Sequence, residues 1–303
     1  MSNALVVKNL NKSFLTGIFG KKRQILKNVN FSVPKGSITG FVGVNGSGKT
    51  TTIKCLLKFI FPDDIPEMSI SFFGDENFSM KIREKLAYLP ERPYLPEQLT
   101  AEEFLFLHWK LGPWKKSKNT FEAACKKVLL RVNLPRVEKN FLRGFSKGML
   151  QRICLAQALL YQPDFFIFDE PMSGLDPDGR RLVKDIILEE QARGATIFFT
   201  SHLLADMDEL CTHLVVIDQG EIHFSGPVED FTHSESKTSV LTYLDAQQRR
   251  QQDTISKDEL SAKISEILKN QGQILRLNPV ETSIERVFTE RKWLEEKNQR
   301  KEP

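Results

Sequence analysis

Residues 43–50 read Gly43-Val44-Asn45-Gly46-Ser47-Gly48-Lys49-Thr50, a complete G-x-x-x-x-G-K-[ST] run. An apolar, strand-like stretch from Ser37 to Val42 leads into it, and a helical pattern from Lys49 to Ile60 follows, stopped by Pro62. Strand, loop and helix in that order aim free backbone N–H groups and the positive end of a helix at one point, which suits a phosphate chain. Gly46 and Gly48 permit backbone conformations and close approaches that a side chain forbids. Lys49 has the reach for β- and γ-phosphates, and the Thr50 hydroxyl is placed to ligate Mg²⁺. Gly43, Asn45, Ser47 and Thr51 complete the expected phosphate-binding set. A plain glycine-rich turn has no need of the flanking strand and helix, so the expectation is a nucleoside triphosphate site.

Composition sets the bounds. A chain of 303 residues has room for one large α/β core with an appendage, or for two modest domains. Net charge is +4, so electrostatics does not call for nucleic acid. No window approaches the roughly 18 apolar residues needed to cross a bilayer, and the first residues lack a signal-peptide pattern. Cys55, Cys125, Cys154 and Cys211 are scattered without C-x-x-C pairing, which reads as reduced core thiols. The expectation is a cytoplasmic protein whose membrane role, if any, needs a partner.

Beyond the loop, Leu5-Val6-Val7 and Phe31-Ser32-Val33 read as strands around a Gly/Lys-rich stretch, 17–23, and Ile70 to Phe73 as another. A helical block runs from Thr100, which has capping-box spacing to Glu103, to about Leu159. Core strands follow at Phe165 to Asp169 and Thr196 to Thr200. The helix between them has Asp176 as its cap, Pro177 in its first position and Gly194 at its end. Leu214 to Phe224 reads as a hairpin turning at Asp218-Gln219-Gly220. After about Phe231 the composition becomes polar (247–253), then gives a strand at Ile274 to Leu277 and a last helix from Thr282. Expected domains are therefore 1–230, with a helical subdomain near 98–160, and an accessory extension at 231–303.

Three further segments carry chemistry. Phe165-Phe166-Ile167-Phe168-Asp169-Glu170-Pro171 is an apolar strand ending in two carboxylates, and ligands bind at the carboxyl ends of such buried strands. There Asp169 suits Mg²⁺, and Glu170 suits orienting or deprotonating the water that attacks a γ-phosphate. Ser146, in Phe145-Ser146-Lys147-Gly148-Met149, caps a helix whose free N–H groups and hydroxyl suit a γ-phosphate as well as they suit an ordinary cap. His202 closes the Thr196–Thr200 strand, where a strand placed beside Asp169-Glu170 lets it sense that phosphate.

This order resembles the nucleotide-binding domain of ATP-binding cassette (ABC) transporters over roughly residues 4–230. The resemblance makes 43–50 the Walker A loop, Asp169 and Glu170 the end of Walker B, Phe145 to Met149 the signature, Ser173-Gly174-Leu175-Asp176 the D-loop and His202 the switch histidine. Phe14 falls where the family stacks an aromatic on adenine. Two positions depart from the family pattern. The signature reads Phe-Ser-Lys-Gly-Met, keeping Ser146 and Gly148, and the Q-loop glutamine position is Glu91, a carboxylate able to approach Mg²⁺. Both variants, and the tail Thr282-Ser283-Ile284-Glu285-Arg286-Val287-Phe288, resemble the ABC-2 type branch of drug, lipid and polysaccharide exporters.

The resemblance implies a P-loop α/β core with an antiparallel β-subdomain, a helical subdomain and a small C-terminal extension. It implies ATP hydrolysis with Mg²⁺ in a head-to-tail homodimer or heterodimer, Ser146 and Gly148 of one subunit facing the phosphate held by Lys49 of the other. It also implies coupling to separate transmembrane permease subunits at the inner face of the cell membrane. The alternatives weighed are a soluble ABC ATPase acting on nucleic acid or ribosomes, and an ordinary P-loop kinase or GTPase. The first lacks here the long insertion or second cassette it usually carries, and the second explains neither the signature segment nor His202. Tyr88, Tyr94, Phe104, Phe106, Trp109 and Trp114 make the segment before the signature unusually aromatic. Half of these are expected in the core, the rest in a partner groove bordered by Glu91, Tyr94 and the 104–109 helix.

Overall fold

The computed structural model describes residues 2–16, 20–92, 94–112, 118–235, 238–279 and 284. The chain divides into two units, Met1–Ser225 and Gly226–Pro303. The first opens with an antiparallel pair, β1 (Asn3–Thr16) and β2 (Lys21–Pro34), each 14 residues long and far longer than the alternation in the sequence suggests. The alternation is broken by Asn9 and Asn28, whose φ values of 50° and 48° are left-handed. The ladder slips beside Asn9, as at a bulge, which bends and twists the pair. Asparagines also tie the slip together: the Asn9 N–H donates to Asn30 Oδ1 (2.9 Å) and the Asn28 N–H to Asn11 Oδ1 (3.0 Å).

β3 (Ile38–Val42) runs into the 43–48 loop and α1 (Lys49–Leu56). This helix stops short of the expected Ile60. Lys58 turns left-handed at φ 55°, and the N–H groups of Phe59 and Ile60 fold back onto the Lys54 carbonyl at 2.9 and 3.3 Å. Phe59 and Phe61 thereby leave the helix and stand 62% and 75% exposed. β4 (Ser69–Phe72) pairs with β1, and the short α2 (Met80–Arg83) leads to β5 (Leu86–Leu89).

Among the described residues the expected helical block comprises α3 (Ala101–Leu111), α4 (Lys118–Arg131) and α5 (Lys147–Leu159). Gly112 ends the first, and a 3₁₀ turn at Leu142–Gly144 precedes the last. The Thr100–Glu103 capping box forms, with the Thr100 N–H donating to Glu103 (2.8 Å) and the Glu103 N–H to Thr100 Oγ1 (3.2 Å). Phe104 and Trp109 are buried, Tyr94 is fully exposed, and Trp114 lies outside the described residues.

β6 (Phe165–Phe168), α6 (Pro177–Ala192), β7 (Thr196–Thr200), α7 (Leu204–Leu210), β8 (His213–Asp218) and β9 (Glu221–Pro227) follow. The sheet order is β5-β6-β7-β3-β8-β9, and the first five strands run parallel. Every residue of β3, β6 and β7 is buried, as strands covered on both faces demand. Stacked rings join the two sheets: Phe31 of β2 lies 5.7 Å from both Phe41 and Phe198, which are 5.2 Å apart. Parallel strands bring their carboxyl ends out on one side, so the residues after Val42, Leu89, Phe168 and Thr200 share one edge. The Gln219-Gly220 turn, at φ 46° and 82°, bridges elements: the Gly220 N–H donates to the Ser47 carbonyl (3.0 Å) and its own carbonyl accepts from the Lys27 N–H (2.8 Å).

The second unit holds α8 (Val228–Glu235), β10 (Thr238–Leu244), β11 (Arg250–Ser256), α9 (Lys257–Lys269) and β12 (Gln273–Pro279). Its antiparallel order is β11-β10-β12, with Ile264 and Ile267 of α9 packed on Leu241, Ile255 and Ile274. The polar stretch 247–253 thus contributes half of a strand, its sequence masked by an edge position with most side chains in water. The helix expected from Thr282 lies outside the described residues except for Ile284. Burial pushes the Cys55 thiol up to about 11 and those of Cys125 and Cys154 to about 12, as for inert core cysteines. Among the described residues no helix is long and apolar enough to cross a membrane.

One buried ion cluster ties α6 to α7. Asp206, 1% exposed, accepts from Arg180 (2.9 Å) and Lys184 (3.0 Å), both on α6. Asp206→Ala leaves Arg180 without its anion and Lys184 with only the exposed Glu209, and should lower the unfolding free energy by about 3 kcal/mol. Lys263→Ala, which removes a solvent-screened bridge to Glu266, should leave it unchanged within error. Urea titration of both variants checks the contrast.

Candidate functional site

The 43–48 loop is shaped by what surrounds it. A Cβ on Gly43 would lie 2.2 Å from the Ile217 carbonyl and 2.4 Å from Ser47 Oγ, and one on Gly48 would lie 2.7 Å from Leu26 Cδ2 at a φ of 113°. Glycine is therefore dictated at Gly43 by the crowding Ile217 carbonyl and at Gly48 by its left-handed backbone. α1 has no side-chain cap, so its first-turn N–H groups stay available to an anion. Lys49 is buried, and its ammonium donates to the carbonyls of Gly43 (2.6 Å) and Val44 (3.3 Å). Burial lowers its pKa, while the charges of Glu170, Asp169 and Glu91 work the other way. Ser47 Oγ is buried without a partner among the described residues, an oxygen ready for an incoming polar group.

Opposite the loop, β6 delivers Asp169 and Glu170. Asp169 is 2% exposed, and its N–H is anchored on the Leu89 carbonyl (2.8 Å). The Thr200 hydroxyl donates to Asp169 Oδ1 (2.8 Å) and accepts from the Glu170 N–H (2.8 Å), joining the ends of β6 and β7. Burial raises the Asp169 pKa, opposed by hydrogen bonds from Thr200 and Thr50. Glu170 adopts a left-handed φ of 54°, a strain of about 1 kcal/mol. Its Oε2 accepts from the His202 N–H (3.1 Å) and lies 2.7 Å from His202 Nδ1. A carboxylate oxygen accepts, so with Nδ1 as the donor in this contact the Nε2 atom is left free of it.

A cavity of about 390 Å³ is lined by Phe14, Asn45, Gly46, Gly48, Lys49, Thr50, Thr51, Glu91, Asp169 and Glu170, with Arg23 and Ile25 completing one wall. Gly43 and Ser47 support it from within the loop, and His202 reaches it through Glu170. Ser146 and Gly148 are not part of the lining. Ser146 is exposed at the start of α5, where its hydroxyl accepts from the Met149 N–H (3.3 Å). The neighbouring Lys147 side chain and Gly148 pack beside Gly174 and Leu175 instead. Arg23, Ile25 and Thr200 were not singled out by the motifs. Thr200 closes a strand that sequence does place, but its dual bonding depends on β6 and β7 being adjacent. Arg23 becomes visible only through its place opposite Phe14 in the β1–β2 ladder, and Ile25 only through the cavity wall it completes.

The ABC transporter family profile matches residues 26–173. An uncharacterised ABC transporter ATP-binding protein of Nostoc is 36% identical over 240 residues, covering 78% of this chain and 70% of the relative. The chain belongs to the ABC transporter family, as one of its ATP-binding, ATP-hydrolysing subunits. The bacitracin transport ATP-binding protein of Bacillus licheniformis is another relative of this ABC ATPase, 34% identical across 87% of this chain and 82% of its own. A linearmycin resistance ATP-binding protein of Bacillus subtilis is 31% identical across 75% and 70%. Among solved structures, the ATP-binding subunit of an ABC transporter superposes with a TM-score of 0.67 at 29% identity, covering 86% of this chain and 99% of that one. A dimeric cassette bound to ADP and phosphate shares the fold, with a TM-score of 0.66 at 21% identity and coverage of 74% and 98%.

Asp169 generates a prediction for this ABC ATPase. Its pKa is raised on folding, so folding disfavours its charged form, and that cost is full above the folded pKa and vanishes below the unfolded one. Asp169→Asn should therefore raise Tm at about pH 7.5, with the gain shrinking as the medium is acidified to about pH 4. Thermal melts of both proteins at the two pH values check the sign.

Proposed function

We propose that this chain is the ATPase subunit of an exporter, closing on a second cassette when ATP is bound and opening after hydrolysis. The observation that carries the proposal is Glu170, strained in its backbone and fixed by Thr200 and His202, at the lip of the cavity that Lys49 floors. The residues present fit a triphosphate: free first-turn amides, a buried ammonium and an unpartnered Ser47 hydroxyl stand around one space. The adjoining Thr50 and Asp169 oxygens form a hard donor set suited to Mg²⁺, with Glu91 able to approach. Mg²⁺ bound there supplies charge neutralisation at the β- and γ-phosphates.

In this reading Lys49 leaves its loop carbonyls for the phosphate oxygens, Phe14 carries the adenine, and Glu170 takes a proton from the attacking water. His202 holds Glu170 through Nδ1 and turns Nε2 toward the γ-phosphate. Ser146 and Gly148, outside the cavity of their own chain, serve the γ-phosphate of a second cassette in a head-to-tail homodimer or heterodimer. Closure is then a population shift driven by the affinity of that second set of contacts. The bacitracin and linearmycin relatives support the exporter branch. Separate transmembrane permease subunits then hold the chain at the cytoplasmic face of the cell membrane. Residues 1–230 are proposed as the cassette, with its helical subdomain at about 98–160, and 231–303 as an accessory extension.

Glu170→Gln preserves shape and removes the base, so turnover should fall at least about 100-fold while ATP binds and a dimer accumulates. Lys49→Ala should weaken ATP binding and give no such dimer. Steady-state ATPase and sizing chromatography with ATP check both, and near-normal turnover in Glu170→Gln would falsify the proposed role.

The permease is proposed to dock on the exposed aromatic surface beside Glu91 and α3. Tyr94 is fully exposed, Leu107 is 44% exposed, and Phe59, itself exposed, meets Tyr88 edge-on at 5.6 Å. Tyr94→Asp should release the permease during co-purification, or abolish transport, while ATPase activity of the isolated chain stays within about twofold. Intact co-purification together with intact transport would remove this surface from consideration.

A further inference from the structure

Arg23 stands directly opposite Phe14 in the β1–β2 ladder. Side chains of directly opposed residues leave the same face of a sheet with Cβ atoms about 5 Å apart. Both line the 390 Å³ cavity. The Phe14 ring already has one cation, the Lys12 ammonium 5.0 Å from its centroid, but Lys12 does not line the cavity. Arg23 is therefore the cation that shares both the ladder rung of Phe14 and the cavity lining. Among the described residues it has no ion-pair partner that would hold it elsewhere. The carboxylates of the cavity, Glu91, Asp169 and Glu170, gather instead around Lys49.

We propose that Arg23 is a nucleobase-binding residue whose guanidinium continues the flat surface begun by Phe14. The inference rests on reading this cavity as the nucleotide site, with Phe14 under the base. A purine is wider than one phenyl ring, and its overhang falls on the neighbour across the ladder. Guanidinium is planar, weakly hydrated and stacks on π-faces, which an ammonium does not do. Stacking reads the face of a base and not its edge, so the platform favours purines without choosing between adenine and guanine.

Isothermal titration of the full chain with ATP, GTP and inorganic tripolyphosphate tests this, using Arg23→Ala, Arg23→Lys and Phe14→Ala. Arg23 is exposed, so its variants should fold, which circular dichroism verifies. Both Arg23 variants should raise Kd for ATP and GTP by a similar factor, about fivefold, and leave tripolyphosphate within about twofold. The proposal is overturned if tripolyphosphate weakens equally, if Arg23→Lys restores ATP affinity, or if GTP alone is affected. These outcomes mark a phosphate counter-ion, a point charge and an edge reader respectively. Unchanged ATP affinity in Arg23→Ala alongside weakened binding in Phe14→Ala overturns the inference alone. Unchanged affinity in Phe14→Ala overturns the base site beneath it, and the inference with it.

Discussion

The hydroxyl of Thr200 holds the site together. It has one proton, which goes to Asp169, and its lone pairs take the Glu170 N–H, so both bonds at 2.8 Å fix a single rotamer. Two adjacent strand ends are thereby locked in register at the point where two carboxylates must point different ways. Asp169 turns inward to Thr50 and the loop. Glu170, through its left-handed backbone, turns outward to His202. The buried parallel sheet supplies the rigidity for this, because β3, β6 and β7 have no exposed residue through which to relax.

Electrostatics divides the cavity into unequal parts. Lys49 is desolvated among three carboxylates, so its charge is kept by neighbours that oppose its burial. Asp169 pays for its burial with a raised pKa. A site with that balance is strained for its own residues and suited to a polyanion that arrives with a divalent cation, the pairing that ATP hydrolysis requires.

Much of this architecture was legible in the sequence because its signals are local. The loop between β3 and α1, the carboxylates ending β6, the Asp176 cap and the Thr100–Glu103 box each lie within a few residues of the group they serve. The parts that escaped depend on distant pairing. The β1–β2 strands looked short since Asn9 and Asn28 break the alternation, and Arg23 gained meaning only from its place opposite Phe14. α1 looked longer because Phe59 and Ile60 continue an apolar pattern after the backbone has already turned at Lys58. β11 read only as a polar stretch because a strand at a sheet edge is wetted along most of its length.

The Gln219-Gly220 turn has a consequence for how the chain can be altered. Tips of two-residue hairpins are ordinarily places where a sequence accepts extra residues, tags or grafted loops. Here the tip is wedged between Ser47 and Lys27, with room for no atom beyond glycine, since a Cβ on Gly220 would sit 2.0 Å from the Ile25 carbonyl. It braces the phosphate loop against the very strand that carries Ile25 and Arg23. Lengthening this hairpin would loosen the nucleotide cradle from behind, so the turn belongs among the least permissive sites for insertion, despite lying some 170 residues after the loop it supports.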